Sequence, residues 1–256
     1  MKINNNFVYL IFIPCQLIAL AALLALPWTF DLSILVFMVL GYILFPGIGS
    51  AVTLHRIYSH RSIEVKDFLK IPLLYISSLC LQGNSIVWTA VHRGKHHRFS
   101  DTEKDPHSPK KGFLVSYFMW IFKWQEHFEP KNAMDLVRDP YHLWFAKYYN
   151  WIIVITYLVI GLISWKFLLY AMIVPAVYAY HQESIVNWFC HQRAYGYRNF
   201  STNDDSINNR VLGLLTWGQA LHNNHHHQAK SFDFGKSISG RNEFDPAIIF
   251  KKVLEK

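Results

Sequence analysis

Residues 7–26 read FVYLIFIPCQLIALAALLAL and residues 33–54 read SILVFMVLGYILFPGIGSAVTL, which is 20 and then 22 consecutive residues without a charge. An α-helix rises 1.5 Å per residue, so about 20 apolar residues cross a hydrocarbon core of about 30 Å. Only residues 27–32 separate the blocks, enough for a tight turn, and the pair reads as an antiparallel membrane hairpin. A cleaved signal peptide, with Lys2 ahead of the run and Ala19-Leu20-Ala21 as a cleavage-like site, is the rival reading. The second apolar block, following at once, disfavours it.

The same logic applies further along. Residues 148–165 and 167–187 form two more apolar stretches with Ser164, Trp165 and Lys166 at their turn. Pro175 lies inside the second of them, where neighbouring helices can tolerate a kink. Residues 68–81 are also apolar, but they are only 14 in number and include Lys70 and Pro72. They read as interfacial or re-entrant, or else as a buried helix of the polar region. The expected architecture is all-α: an integral membrane protein with four transmembrane helices in two hairpins. The spans are 7–26, 33–54, 148–165 and 167–187, within a single domain over 1–256. Segments 55–147 and 190–256 form a cytosolic helical cap.

Composition agrees with this and excludes other classes. The chain has 256 residues, 52% of them hydrophobic and 16% charged, whereas an average soluble domain is about 25% charged. So much apolar surface excludes disorder, and 3 cysteines exclude a disulfide scaffold. The net charge of +8 raises the possibility of a nucleic-acid partner, but the positions of the charges point elsewhere. Of 25 Lys and Arg, 14 lie between His55 and Asn150 and 9 between Cys190 and Lys256. Both segments fall on one side of the four-span arrangement. Lys and Arg favour the cytoplasmic side, so the termini, the middle segment and the tail are expected there. Topology accounts for the charge, and no nucleic-acid partner is expected.

The 14 histidines are grouped. His55 and His60 follow the second apolar block. His92, His96 and His97 stand in HRGKHH, and His222, His225, His226 and His227 in HNNHHH. Every group lies in a segment that the charge rule assigns to the cytosol. On a helix His222, His225 and His226 span an arc of about 100° and can face one point. His92 and His96 are about 40° apart, but His97 is about 140° from His92. That box therefore needs a local distortion, or His97 faces a second metal. So many imidazoles exceed one tetrahedral zinc and suit two metals. An all-imidazole donor set favours iron, zinc or copper over magnesium or calcium.

The three boxes, with Asp101-Thr102-Glu103-Lys104-Asp105-Pro106-His107 after the second, resemble the membrane-bound fatty-acyl desaturases, and most closely the acyl-CoA or Δ9 (stearoyl-type) branch. The resemblance implies a four-span helical membrane protein with a cytosolic cap that holds two iron ions. It also implies use of O2 and two electrons to place a cis double bond, at the Δ9 position, in a saturated acyl chain. In the Δ9 type an Asn and a His four residues apart complete the site. They match Asn187 and His191 here. The resemblance thus implies as metal ligands His55, His60, His92, His96, His97, His191, His222, His225 and His226, with Asn187 acting through water. Beyond these ligands it implies no separate catalytic residue. His227 competes with His226 for the last place, and spacing favours His226.

The pattern departs from the branch in places. The second box is HxxxHH rather than HxxHH, a spacing that the wider membrane di-iron superfamily, including hydroxylases, allows. Gly218-Gln219 stands where members often have Gly-Glu. Thr89, Ala90 and Val91 replace charged residues that meet the CoA nucleotide in acyl-CoA members. The carrier of the fatty-acyl substrate, whether CoA, acyl-carrier protein (ACP) or a lipid, stays open.

Breaking an unactivated methylene C–H bond requires a redox-active metal, which favours iron over zinc. Asp101, Glu103, Asp105 and Glu183 are candidate partners for the imidazole N–H groups. Trp88 and Trp120 are candidate walls of an acyl tunnel. Arg56, Arg93 and Lys95 are candidates to meet an anionic headgroup, carrier or redox partner. His107, His127, His142 and His181 lack the box spacing and read as ordinary histidines. No His-Pro-Gly-Gly motif follows the third box, so a separate electron donor of ferredoxin, rubredoxin or cytochrome b5 type is expected. The surrounding membrane lipids are the other expected partner. A bacterial inner membrane is favoured over the endoplasmic reticulum. Two other functions are alternatives: a di-metal lipid hydroxylase or related oxygenase, which the same boxes would serve and only the product distinguishes, and, less in keeping with the histidines, a His-rich metal transporter. A transporter would place histidines at membrane depth.

Overall fold

A computed structural model describes residues 6–236 and 242–256. The described residues form helices joined by turns, with three isolated bridges and no strand. Two helices are long and apolar enough to cross a membrane, Val8–Thr29 and Leu32–Ser59. Their outward side chains, among them Leu10, Leu24 and Trp28, are exposed, as lipid-facing residues are. Asp31 begins the second helix by accepting from the Ile34 N–H at 3.1 Å.

The second apolar pair is less regular. Tyr149–Ile163 is preceded by Pro140–Lys147, bent from it by 67°, and the two together give a third candidate span. The expected fourth span lies in consecutive helical pieces, Trp165–Phe167, Leu168–Ile173 and Val174–Phe189. Its second half carries His181, Gln182, Glu183 and Asn187, so it is not among the helices that qualify by length and apolarity. The turns of the two pairs meet, because Lys166 forms an ion pair with Asp31. One helical turn further on, the Tyr170 hydroxyl lies 2.9 Å from Thr29 Oγ1 and donates to the Ala22 carbonyl at 3.0 Å. Gly41 lets the second and fourth helices approach, since a Cβ there would lie 2.3 Å from the Ala171 carbonyl oxygen and 2.4 Å from Pro175 Cγ.

Residues 68–81 form a short helix, Lys70–Ser78, with two unlike sides. Leu73, Leu74, Ser77 and Ser78 are buried against the second helix, while Phe68, Ile71 and Tyr75 are exposed. An apolar face left outward suits an interfacial position.

The tail returns to the first histidine box. Arg56 is fully buried and donates to the Ala51, Trp217 and Phe232 carbonyls and to Asp245 at 2.9 Å. Its guanidinium lies 3.9 Å from the centre of the Phe234 ring. A buried charge is tolerable only when paired and hydrogen-bonded, and here each guanidinium nitrogen has an acceptor. The residue after His55 therefore fastens the tail to the membrane helix.

Candidate metal centre

Five-residue spacing controls how the first two boxes face inward. The helix ending at Ser59 finishes in wide, π-type turns, and the His60 N–H bonds to the His55 carbonyl at 3.2 Å. His92–His96 is another π-type turn, closed by the His97 N–H on the His92 carbonyl. Bonding from i to i+5 places residues five apart on one face, whereas α geometry would set them about 140° apart. His55 pairs in this way with His60, and His92 with His97. His96 turns the other way. The local distortion that HRGKHH requires is this turn, and its histidines also divide between two groups.

The third box is held from behind. Trp217 and Gly218 have φ of +51° and +82°. A Cβ on Gly218 would lie 1.9 Å from Asp245 Oδ1, so only glycine fits this turn. The turn leads into the helix His222–His227. Asn223 Oδ1 accepts from the Asn199 and Phe200 N–H groups at 2.9 and 2.8 Å. Asn224 accepts from Asn208 Nδ2 at 2.8 Å. The asparagines anchor one side of the helix to the tail, and His222, His225 and His226 occupy the other.

Two groups result. The ligand atoms of His55, His60, His92, His97 and His225 all lie within 4.8 Å of one another, and so do those of His96, His191, His222 and His226. In the first group Nε2 meets Nε2 at 2.9–3.0 Å in the order His55, His225, His97, His92, His60. In the second, His191 and His222 meet through Nε2 at 2.9 Å. These contacts cannot form a chain of linear hydrogen bonds. One Nε2 carries a proton or a lone pair but not both, and His225, His97 and His92 each face two neighbours through that atom. A shared cation resolves the crowding. Two imidazole nitrogens at about 2.05 Å from one metal and at right angles are about 2.9 Å apart, against about 3.3 Å in a tetrahedron. The donor set and its spacing fit a metal of more than four ligands. His96 Nε2 and His226 Nε2 are buried without a partner, as inward-pointing ligand atoms would be.

On five of the nine histidines the opposite ring nitrogen, Nδ1, is held by an acceptor. Nδ1 of His55 donates to Gln219 Oε1 at 2.6 Å, and Nδ1 of His222 to the Gln219 carbonyl at 3.2 Å. His96 donates to Asp105 at 3.1 Å, His191 to Asp101 at 3.1 Å and His226 to Asp204 at 2.7 Å. A proton fixed on Nδ1 leaves the Nε2 lone pair free for a metal. Burial also depresses the imidazole pKa values. His92, His97, His222 and His225 are pushed well below the usual range, with His60 at about 3 and His226 at about 4. Burial would lower His191, but its bond to Asp101 and the charges of Asp101, Asp105 and Asp204 together raise it. Burial would raise Asp105, but His107 and His96 hold it low.

Other positions sort clearly. His227 stacks on Phe200 at 3.9 Å between ring centres, outside both groups. Asn187 lines a cavity between the groups together with His55, Trp88, His92, Trp120 and His222. Glu103 is exposed. His107 joins His96 around Asp105, although its spacing gave no sign of this. His142 bonds Ser85 and His181 bonds Gln16. Arg93 pairs with Asp135 and Lys95 with Glu129. Gln219 and Asp204 were not singled out as imidazole partners. Gln219 meets His222 only through its main-chain carbonyl, its side chain meets His55 from 164 positions away, and Asp204 lies 22 positions from His226, so no periodicity connects either side chain to its histidine.

Comparison with known proteins identifies the family. Residues 8–230 match the family model described as fatty acid desaturase. The chain is 35% identical over 214 residues to an sn-2 palmitoyl-lipid 9-desaturase of Nostoc sp. (strain 36), covering 80% of this chain and 74% of that protein. It is 34% identical to Delta-9 acyl-lipid desaturase 2 of Arabidopsis thaliana, over 70% of this chain and 59% of that one. An acyl-CoA 5-desaturase of Anemone leveillei is 31% identical, over 79% and 64%. With most of its length in the family model and its histidines gathered beside an apolar cavity, the chain belongs to the fatty acid desaturase family, in the branch whose curated members include the Δ9 desaturases.

Proposed function

We propose that this protein is a membrane oxidoreductase that introduces a cis double bond, at the Δ9 position, into a saturated fatty-acyl chain. The observation that carries this reading is the pair of inward-facing histidine groups beside an apolar cavity. In this reading His55, His60, His92, His97 and His225 hold one iron. His96, His191, His222 and His226 hold the other, with Asn187 acting through water. When bound, the irons supply the dioxygen activation needed to attack an unactivated C–H bond. The reaction balances when two hydrogens from adjacent methylenes, two protons and two electrons from a separate donor protein reduce O2 to two waters.

The chain's own residues supply binding and order. Asp101, Asp105, Asp204 and Gln219 hold the Nδ1 protons and so keep the rings aimed. Trp88, Trp120 and Trp124 line the cavity with Val87, Val91 and Ile121, and this apolar wall takes the acyl chain and excludes water. We place the protein in the membrane through four spans, with both histidine groups on the cytoplasmic side. The ion pair between the two hairpin turns and the concentration of Lys and Arg away from those turns support that topology. The acyl carrier is a lipid, CoA or acyl-carrier protein, and the names of relatives include both lipid and CoA substrates.

Gas chromatography with double-bond localisation, on a host that expresses the protein and a compatible electron donor, tests the reading. A Δ9 monoene in the wild type and its absence in a matched His96→Ala strain is the expected result. A hydroxy acid in place of the monoene would reassign the reaction to hydroxylation, and an unchanged lipid profile would contradict the reading.

A further inference from the structure

One line of polar side chains runs through the apolar interior beside the first histidine group. Trp88 Nε1 donates to Gln82 Oε1 at 2.8 Å. Gln82 Nε2 donates to Ser50 Oγ at 2.9 Å, and Ser50 Oγ donates to Glu183 Oε1 at 2.6 Å. From the other side Gln219 Nε2 donates to the same Glu183 oxygen at 2.7 Å, while Gln219 Oε1 accepts from His55 Nδ1 at 2.6 Å. Ser50 and Gln219 have no solvent exposure, and Gln82 has little. Water cannot substitute for a lost partner at Ser50 or Gln219.

The direction of each bond is forced. An indole N–H only donates, and the Glu183 oxygen accepts from both Ser50 and Gln219. With Trp88 at one end and Glu183 at the meeting point, Gln82 and Ser50 have one orientation each. Glu183 likewise sets the Gln219 amide. Its NH2 must face the carboxylate, so its carbonyl must face His55. A carbonyl against Nδ1 requires the proton there and leaves the lone pair on Nε2, the atom that lies 2.9 Å from His225 Nε2. If the amide turned over, its NH2 would favour a bare Nδ1 and place the His55 proton on Nε2, where it would block a metal.

We propose that Glu183 is a positioning residue of the first histidine group: acting through the Gln219 amide, it fixes the proton of His55 on Nδ1 and so keeps this ligand competent. The other acceptors, Asp101, Asp105 and Asp204, each touch their histidine directly. Here the carboxylate acts from one residue further out. The proposal rests on the reading of these groups as metal sites, and it concerns only the first.

The test uses full-length apoprotein in detergent, titrated with Co2+ and followed by its visible absorption. Three variants are compared with the wild type: Glu183→Gln, Gln219→Glu and the exchanged pair E183Q/Q219E. Loss of a hydrogen-bond partner behind a metal ligand costs roughly 10–100-fold in affinity. Glu183→Gln is expected to weaken one of two Co2+ sites by that amount, because a neutral amide in place of the carboxylate permits the Gln219 amide to turn. The site of His96, His191, His222 and His226 should titrate as before. Gln219→Glu alone should also weaken the first site, since it sets two carboxylates against each other. The exchanged pair puts a carboxylate directly on His55 and should bind Co2+ within a few-fold of the wild type.

Two wild-type-like sites in Glu183→Gln would overturn the proposal while leaving the metal sites standing. Absence of Co2+ binding in the wild type would instead overturn the reading beneath it. A purely structural role would weaken both sites together and lower the apoprotein's melting temperature. If Glu183→Gln does not fold, the exchanged pair decides. A restored fold without restored Co2+ affinity, or failure of both variants to fold, assigns Glu183 to the fold and overturns the proposal.

Discussion

His226 and His227 are adjacent and chemically identical, yet their surroundings give them different work. His226 donates to Asp204 and turns a buried, partnerless Nε2 toward His96, His191 and His222. His227 lies flat on Phe200. His226→Ala is therefore expected to lose one metal per chain and at least ten-fold of the desaturase activity, by the order of effect known for metal-site partners. His227→Ala should keep both. Metal analysis of the purified variants beside product chromatography checks the pair. Spacing alone favoured His226, and the residue types of the three boxes were fully legible in the sequence. The division of nine histidines into five and four was not. It depends on Nε2 directions that arise only when four separate segments pack together.

At the scale of elements, the apolar hairpin and the approximate helix limits could be read from periodicity and length. The π-type turns could not, because nothing in HRGKHH marks i to i+5 bonding. The spacing did pose the question, since His92 and His97 cannot share a face of an α-helix. The turn answers it, and Gly94 permits it. A Cβ there would lie 1.8 Å from Asn132 Nδ2 and 3.0 Å from Asn132 Cβ. Gly94→Ala should destabilise the protein by about 1–3 kcal/mol through overpacking and reduce metal in both groups, because His92 and His97 serve one and His96 the other. Thermal unfolding and metal content of that variant are the measurements. The fourth apolar stretch shows the opposite limit of sequence reading. A helix that must line a polar site gives up the apolarity by which spans are recognised, and Glu183 and Asn187 are where it does so.

For the whole molecule, the charge distribution and the Asp31–Lys166 pair support the proposed topology, with two hairpin turns on one side of a bilayer and the histidines with nearly all the Lys and Arg on the other. Single cysteines placed by Lys166→Cys and Lys104→Cys in a background without the native cysteines check it directly. In sealed vesicles a membrane-impermeant maleimide should label only one of the two positions, and only the other in inverted vesicles. The central claim is narrower. Nine inward-facing imidazoles, seven of them with Nε2 contacts of 2.9–3.0 Å, are accounted for by two shared cations. The most direct test is the iron content of the protein purified without oxygen, for the wild type, His225→Ala and His222→Ala. Two irons per chain in the wild type and one in each variant is the predicted result. A single metal in the wild type, or zinc at full occupancy with no iron binding after exchange, would contradict the account.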